Sequence, residues 1–135
     1  MLIRIGKKFL MKYFFFDLQK KSIVKKLGES CLQDIINFCL HYIANLEIPK
    51  KRGHFIEYRQ GMLNISPIGR DCCYTDRCKF EEWDNTSLCR KNFVNAIRKN
   101  FPELDDVITL SIGGQISFDL FPTVIFFETK ILGVG

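Results

Sequence analysis

The sequence lacks any apolar run of the roughly 20 residues that a membrane-spanning helix requires, because Lys12 and Asp17 interrupt its most apolar segment. We therefore expect no transmembrane helix and no membrane partner. The same segment has neither an uninterrupted apolar region nor a small-residue cleavage site, so it does not resemble a secretory signal. These features predict an intracellular, cytoplasmic protein.

The sequence also has no C-x-x-C pair, and its two histidines lie at no zinc-finger spacing from a cysteine. Both patterns are typical of structural zinc sites, so we predict no metal site. Without an export signal, the six cysteines are expected to be free thiols. Cys31 and Cys39 fall in a helical pattern, where free cysteine packs as a small hydrophobic residue.

The chain contains enough apolar material for one packed domain. Of its 135 residues, 47% are apolar and thirteen are Phe, which excludes a disordered or low-complexity chain. The net charge of +5 is uneven, because residues 1–26 carry eight basic residues and one acid, whereas residues 27–135 carry twelve basic and fourteen acidic residues. A basic arm is either a solvated tail or a contact to a nucleic-acid backbone. The slightly acidic remainder argues against nucleic acid as a partner.

Apolar residues that recur every three or four positions predict two helices. The first begins at Ser30, where Gln33 would complete a capping box, and it ends before Pro49, since proline disfavours helical geometry in the preceding residue. The second spans about residues 87–100, and Pro102 follows it. Each helix has one apolar face.

Two predicted β-hairpins alternate with these helices. In the first, residues 54–66, Gln60-Gly61 forms a two-residue loop whose glycine suits a type I′ turn, so Arg59 pairs with Met62. Its apolar face then holds Ile56, Tyr58, Leu63 and Ile65, and its polar face holds Glu57, Arg59, Asn64 and Ser66.

In the second hairpin, residues 107–121, a three-residue loop over 112–114 keeps apolar and polar faces separate. That loop aligns Leu110 with Ile116 and Ile108 with Phe118. The polar face then holds Thr109, Ser111, Gln115, Ser117 and Asp119.

The order helix, hairpin, helix, hairpin predicts an α+β fold, in which a four-stranded antiparallel sheet of two hairpins is covered on one face by two helices. The other face of the sheet is polar and free for a ligand. A sugar or a phosphate suits such a face better than a lipid does.

Arg59, Arg70 and Arg77 are the candidate anion-binding residues. Arg59 ends a predicted strand and the other two flank a predicted short loop, so their guanidinium groups could converge. Each offers two parallel N–H donors to a phosphate, and charge-assisted hydrogen bonds contribute about 1.5–3 kcal/mol each. The alternative is that these arginines form weak surface ion pairs with nearby carboxylates, namely Glu57, Asp71 and Asp76.

Two long strings, PKKRGHFIEYRQGMLNISPIGR at residues 49–70 and SIGGQISFDLFP at residues 111–122, closely resemble segments of the cap domain of eukaryotic phosphomannomutases, a family of the haloacid dehalogenase superfamily. The resemblance covers residues 27–122. It implies a cap that grips mannose 1-phosphate, mannose 6-phosphate or a glucose phosphate. A separate core domain then transfers the phosphate by way of an aspartate, with magnesium.

By motif position, the family's phosphosugar-binding arginines match Arg59, Arg70 and Arg77, and its sugar-contacting pair matches Ser117 and Asp119. Before Arg77 the sequence reads DCCYTDR, whereas a Ser-Gln-Glu-Glu-Arg-like run is usual in the family.

The family's nucleophile motif, Asp-x-Asp-Gly-Thr, does not occur in the sequence. FFFD, ending at Asp17, offers a single carboxylate, which we interpret as an exposed charge. The string TVIFFETK from Thr123 resembles the core strand before the family's magnesium-binding motif. We therefore divide the chain into a basic segment (1–26), a cap (27–122) and a remnant of a core strand (123–135), and we predict no catalytic residue in it.

The resemblance thus implies an isomerase family that interconverts mannose 6-phosphate and mannose 1-phosphate for GDP-mannose synthesis. It also implies magnesium held by the core domain and a homodimer formed through the cap. We expect this 135-residue chain to be inactive alone. The alternative is a non-catalytic interaction module, either a decoy subunit that dimerises with an intact mutase or a basic-armed nucleic-acid binder.

Overall fold

Helices and hairpins alternate along residues 22–123, the part of the chain that this computed structural model describes. The helices are α1 (Ile23–Leu27), α2 (Glu29–Asn45), α3 (Tyr74–Ser87) and α4 (Cys89–Asn100), and a 3₁₀ turn spans Pro102–Leu104. The strands are β1 (Ile56–Tyr58), β2 (Leu63–Ile65), β3 (Ile108–Gly113) and β4 (Ser117–Pro122). The predicted α+β class with a four-stranded antiparallel sheet is confirmed.

The strand order is β1-β2-β4-β3, and every neighbouring pair is antiparallel. The two hairpins therefore meet through β2 and β4, whose register sets Asn64 opposite Asp119. Side chains of directly opposite residues share a face of the sheet. This pairing joins the polar face of one hairpin to that of the other.

The first hairpin has the predicted register. Tyr58 is paired with Leu63, and the N–H of Arg59 donates to the carbonyl of Met62 at 2.9 Å. Since a slip by one residue would turn every side chain to the other face, this register decides which residues lie on the polar face of the sheet.

The turn of this hairpin is not the predicted type I′ turn, which requires positive φ at both central residues. Positive φ occurs at Gln60 (56°), whereas Gly61 is not among the positive-φ residues. The N–H of Gly61 donates to the carbonyl of Arg59 at 2.5 Å, which is the hydrogen bond of a γ-turn. The Gln60 carbonyl is thereby free to accept the N–H of Ile23 at 2.6 Å, at the start of α1.

The predicted register of the second hairpin is wrong. Leu110 is paired with Leu120 instead of Ile116, and the turn comprises residues 114–116, with Gly114 at φ 64°. The shift is an even number of residues, so the residues that remain in the strands keep their predicted faces, whereas Gln115 and Ile116 lie in the turn.

Burial of Ile116 explains the difference. Its side chain is only 3% exposed and lies in a cluster under α3, so it leaves the strand pairing. This cluster contains Ile68, Cys72, Phe80, Cys89 and Ile116.

Helix α2 begins without the predicted capping box. Gly28, at φ 85°, precedes its first residue, and Ser30 lies inside the helix. The side-chain amide of Gln33 donates to Glu29 Oε1 at 2.8 Å and so does not return to the backbone of Ser30.

Helix α3 is not predicted by the sequence patterns. The prediction that Arg70 and Arg77 flank a short loop is therefore wrong for Arg77, which lies in the first turn of α3. Leu88, at φ 56°, separates α3 from α4. The predicted second helix corresponds to α4 and starts two residues later than expected, at Cys89.

The main core lies between α2, α4 and the apolar face of the sheet, as predicted. At its centre the rings of Phe93 and Phe118 meet edge to face, with centroids 5.0 Å apart and planes at 70°, a favoured aromatic geometry. Ile23 of α1 is fully buried in the same core. Its other buried members are Leu32, Ile35, Cys39, Ile43, Leu63, Ile65, Val94, Ile97, Phe101, Ile108, Leu110 and Leu120.

All six cysteines are free thiols, as predicted. Cys39 is buried in the core, and this burial raises its pKa to about 12. The predictions for Asp17 and for residues 124–135 fall outside the described residues. Within residues 22–123 no helix is long and apolar enough to cross a membrane.

Candidate functional site

Arg70 follows a loop that backbone contacts hold against the segment before β1. The N–H of Arg52 donates to the carbonyl of Ile68 at 2.7 Å, and the N–H of Arg70 donates to the carbonyl of His54 at 3.0 Å. Gly69, at φ 95°, lies between these contacts. The backbone of Arg70 is therefore fixed independently of its side chain.

Asn64 is the centre of the polar face. Its Nδ2 donates to Ser117 Oγ at 3.0 Å and to Asp119 Oδ1 at 2.8 Å, while its Oδ1 accepts from Arg70 Nη1 at 2.7 Å. Because a guanidinium only donates and a carboxylate only accepts, these partners fix the orientation of the amide. One asparagine thus joins the cationic side of the face to its hydroxyl and carboxylate.

Glu57 joins the two arginines of this face. Its Oε1 accepts from Arg59 Nε, and its Oε2 lies 3.5 Å from Arg70 Nε and 3.7 Å from His54 Nε2. The hydrogen bond from Arg59 is the main reason why the pKa of the Glu57 carboxyl is lowered, and the positive charges of Arg59 and Arg70 add to it. Glu57 is therefore a carboxylate at neutral pH.

Arg59 and Arg70 are solvent-accessible members of the network around Asn64 and Glu57. The side chains of Arg59 and Arg70 are 37% and 28% exposed, whereas Asn64 and Ser117 are buried. A ligand that approaches the face therefore meets guanidinium groups first. Buried polar groups behind them are satisfied by one another, which holds their geometry in place.

Four of the five predicted site residues belong to this network. Arg59 and Arg70 meet at Glu57, and Ser117 and Asp119 meet at Asn64. Arg77 is not brought in, because within residues 22–123 its side chain forms no hydrogen bond or ion pair, and its own N–H donates to the carbonyl of Cys73. A binding role for Arg77 stays a prediction.

The sequence patterns placed Glu57 and Asn64 on the polar face but did not identify them as site residues. The available signal for Asn64 was its position between Leu63 and Ile65, since a polar residue inside a three-residue strand of otherwise apolar residues needs a partner. All three residues are buried.

The alternative interpretation, in which the candidate arginines form ion pairs with nearby carboxylates, holds for two of the three. Arg59 and Arg70 do pair with Glu57, whereas Asp76 pairs with Lys50 at 2.8 Å and lies 4.0 Å from Arg52. The hydrogen bond from Lys50 is the main cause of the lowered pKa of the Asp76 carboxyl.

Magnesium does not fit the side chains of residues 22–123. Mg²⁺ requires near-octahedral oxygen coordination. Among these residues, no three His, Cys, Asp or Glu side chains converge as metal ligands. The carboxylates of the face, Glu57 and Asp119, already accept hydrogen bonds from Arg59 and Asn64. The described residues therefore offer no ready set of side-chain ligands for magnesium.

The family model for eukaryotic phosphomannomutase matches residues 12–126 of this chain. The chain belongs to the eukaryotic phosphomannomutase family. The predicted resemblance is thus confirmed, and the matched range contains the whole network around Asn64 and Glu57.

Individual phosphomannomutases are similar over the same part of the chain. The protein of Nicotiana benthamiana is 53% identical over 102 residues, which are 76% of this chain and 40% of that protein. The protein of Arabidopsis thaliana is 52% identical over 102 residues, or 76% of this chain and 41% of that protein. The protein of Galdieria sulphuraria is 51% identical over 102 residues, which are 76% of this chain and 40% of that protein. The chain thus spans about two fifths of the length of these relatives, whose name denotes an isomerase.

Proposed function

We propose that this chain supplies the substrate-gripping cap of a phosphomannomutase and binds a hexose phosphate, mannose 1-phosphate or mannose 6-phosphate, on the polar face of its sheet. The observation that carries the proposal is the position of Arg70, which Asn64 and Glu57 hold beside Ser117 and Asp119. Family membership supports the substrate class.

The phosphate end of the ligand would meet the two arginines. Arg70 uses Nη1 toward Asn64 and directs Nε toward Glu57, so within residues 22–123 its Nη2 remains available as a donor. Arg59 likewise uses Nε toward Glu57 and retains its terminal nitrogens. A phosphate ester carries close to two negative charges near neutral pH, so two guanidinium groups match it in charge and geometry.

The sugar end would meet Ser117 and Asp119. The hydroxyl oxygen of Ser117 accepts a hydrogen bond from Asn64. The O–H of Ser117 therefore points away from that amide and can donate to a ligand. Asp119 accepts from Asn64 through Oδ1, so its Oδ2 can accept from a sugar hydroxyl. A donor and an acceptor side by side suit the vicinal hydroxyls of a hexose.

Phosphoryl transfer belongs, in this proposal, to a core domain that the described residues do not include. Magnesium would be held by that domain, and the assembly would be a cytoplasmic homodimer formed through the cap. We therefore expect no interconversion of hexose phosphates by the 135-residue chain alone. Measurable turnover by the purified chain would contradict this division of roles.

Calorimetric titration of the full chain with mannose 1-phosphate tests the binding proposal. We expect saturable binding, little response to unphosphorylated mannose, and an affinity that falls roughly tenfold or more in Arg70→Ala, because a charged hydrogen bond is lost. Arg98→Ala is the matched control, since Arg98 lies on α4 at the surface, 3.5 Å from Asp105. The proposal fails if the wild-type chain does not bind, or if the Arg70 and Arg98 variants bind alike.

A further inference from the structure

A buried ion pair lies beneath the second hairpin, outside the polar face. Arg90 is the second residue of α4 and Asp84 belongs to α3, and their side chains are only 8% and 10% exposed. Arg90 Nε donates to Asp84 Oδ2 at 2.7 Å, and the backbone N–H of Arg90 donates to Asp84 Oδ1 at 3.0 Å. Asp84 therefore caps the first turn of α4 and orients the guanidinium at the same time.

The other arm of this guanidinium reaches the turn between β3 and β4. Arg90 Nη1 lies 3.2 Å from the carbonyl oxygens of Gly113 and Gly114 and 2.9 Å from that of Ser117. These carbonyls lie on both sides of the turn. Arg90 thus fixes the two strand ends relative to α4.

Ser117 is consequently held at two points. Its carbonyl accepts from Arg90, and its hydroxyl oxygen accepts from Asn64. The first contact sets the position of the backbone, and the second sets the direction of the hydroxyl. A displacement of the backbone would move the hydroxyl relative to Arg70, which is anchored separately through His54.

We propose that Arg90 is a positioning residue for sugar recognition, which holds the β3–β4 turn so that the Ser117 hydroxyl and the neighbouring Asp119 meet the sugar of a hexose phosphate. This inference rests on the proposed function. Arg90 does not touch the ligand in this arrangement, and it has no part in binding the phosphate, which Arg59 and Arg70 perform.

The geometry of the guanidinium favours this role over that of a simple buried ion pair. An ion pair with Asp84 needs only one positive charge, which lysine also provides. Binding the carboxylate and the carbonyls of a turn at once requires the planar fork of arginine. Arg90→Lys therefore separates the two functions, because it preserves the charge and loses the fork.

The test compares two probes on the full chain, mannose 1-phosphate and inorganic phosphate. In Arg90→Lys we expect the affinity for mannose 1-phosphate to fall roughly tenfold, as for loss of a hydrogen bond to the sugar, with the affinity for inorganic phosphate unchanged. The matched control Arg98→Lys, on the exposed side of the same helix, leaves both affinities unchanged. If Arg90 had a purely structural role, Arg90→Lys would lower the affinity for both probes or for neither. Either result overturns the proposal.

A second measurement needs no variant and covers the case in which Arg90→Lys does not fold. In the wild-type chain, the NMR resonance of the Arg90 Nε–H group is expected to shift on addition of mannose 1-phosphate and to stay in place on addition of inorganic phosphate. The resonance of Arg98 serves as the internal control. An Arg90 resonance that does not respond to the sugar phosphate overturns the proposal.

The two proposals fail in distinguishable ways. If wild-type chain does not bind mannose 1-phosphate, the proposed function is wrong. If the wild-type chain binds it, and Arg90→Lys keeps the same preference for mannose 1-phosphate over inorganic phosphate, only the role of Arg90 is wrong.

Discussion

A β-carbon on Gly69 would lie 2.0 Å from the carbonyl oxygen of Gly53. The two glycines are in backbone contact, and each has positive φ, 95° at Gly69 and 113° at Gly53. Because no side chain fits between the two backbones, the loop before Arg70 can close only on glycine. The anchoring of Arg70 thus depends on a contact that involves no side chain.

Gly69→Ala is therefore expected to destabilise the protein and to displace Arg70. Positive φ and a clash with backbone together should lower the free energy of unfolding by about 2–4 kcal/mol. Gly113→Ala is the matched control, since nothing lies within 4 Å of a β-carbon at Gly113, and its change should stay within about 0.5 kcal/mol. Urea unfolding of both variants measures the difference, and equal stabilities would contradict the argument.

Glu57→Gln is expected to remove a pH-dependent contribution to stability. The pKa of Glu57 is lowered in the folded chain from its ordinary value of 4.5, so the folded state binds this proton less tightly than the unfolded state. The stabilisation is therefore present above about pH 4.5 and is lost as the pH falls through the lowered pKa. The wild-type chain should be more stable than the variant at pH 7, with the difference disappearing in acid.

Arg59→Ala provides the control for this measurement, because the hydrogen bond from Arg59 is the main cause of the shift. In that background, Glu57→Gln should have a smaller effect at pH 7. A difference between wild type and Glu57→Gln that is the same at pH 7 and in acid would show that the carboxylate does not stabilise the face.

Local sequence signals predicted the register of the first hairpin, although not its turn type, and failed to predict the register of the second. A two-residue loop at Gln60 leaves one register, whereas Gly113 and Gly114 permit turns at more than one position. The alternation of apolar and polar residues fixed the faces in both cases, because it is insensitive to an even shift. The register of the second hairpin is decided by burial of Ile116 beneath α3, a tertiary contact that strand patterns do not contain.

The same distinction applies to the site. Alternation placed Ser117 and Asp119 on the polar face, but their link through Asn64 depends on β2 lying beside β4, which the order of hairpins does not specify. The sequence patterns do not predict helix α3, because few of its residues are apolar and they form no continuous apolar face. Packing of Phe80 and Trp83 holds this helix against the rest of the protein. Most helical stability in proteins comes from such packing.

Asp84→Ala is expected to be strongly destabilising. It leaves the buried guanidinium of Arg90 without its carboxylate and removes the cap of α4, and breaking a buried ion pair from one side costs about 3–5 kcal/mol. The matched control is Asp105→Ala, which removes the carboxylate of an exposed pair with Arg98 and should cost less than about 1 kcal/mol. Thermal unfolding of both variants decides the matter, and similar melting temperatures would contradict the structural role of Asp84.

Asn64→Asp tests whether the polar face depends on an amide at its centre. The substitution replaces Nδ2, the donor to Ser117 and Asp119, by an oxygen that cannot donate. A carboxylate at this position would lie against the carboxylate of Asp119, where an amide now donates across 2.8 Å. We expect a loss of at least about 2 kcal/mol in the free energy of unfolding at pH 7, from unpaired buried acceptors and like charges.

The stability of N64D relative to wild type is expected to depend on pH. Burial and the Asp119 carboxylate raise the pKa of the introduced carboxyl in the folded state, whereas the hydrogen bond from Arg70 lowers it. We expect burial and the like charge to dominate, so the folded variant binds a proton more tightly than the unfolded chain. Its stability relative to wild type should therefore be greatest in mild acid and fall as the pH rises toward 7. Asn92→Asp, an exposed change in the first turns of α4, should show no such fall, because a carboxylate near a helix N-terminus is favourable. A deficit for N64D that is independent of pH would mean that the two side chains at positions 64 and 119 do not face each other.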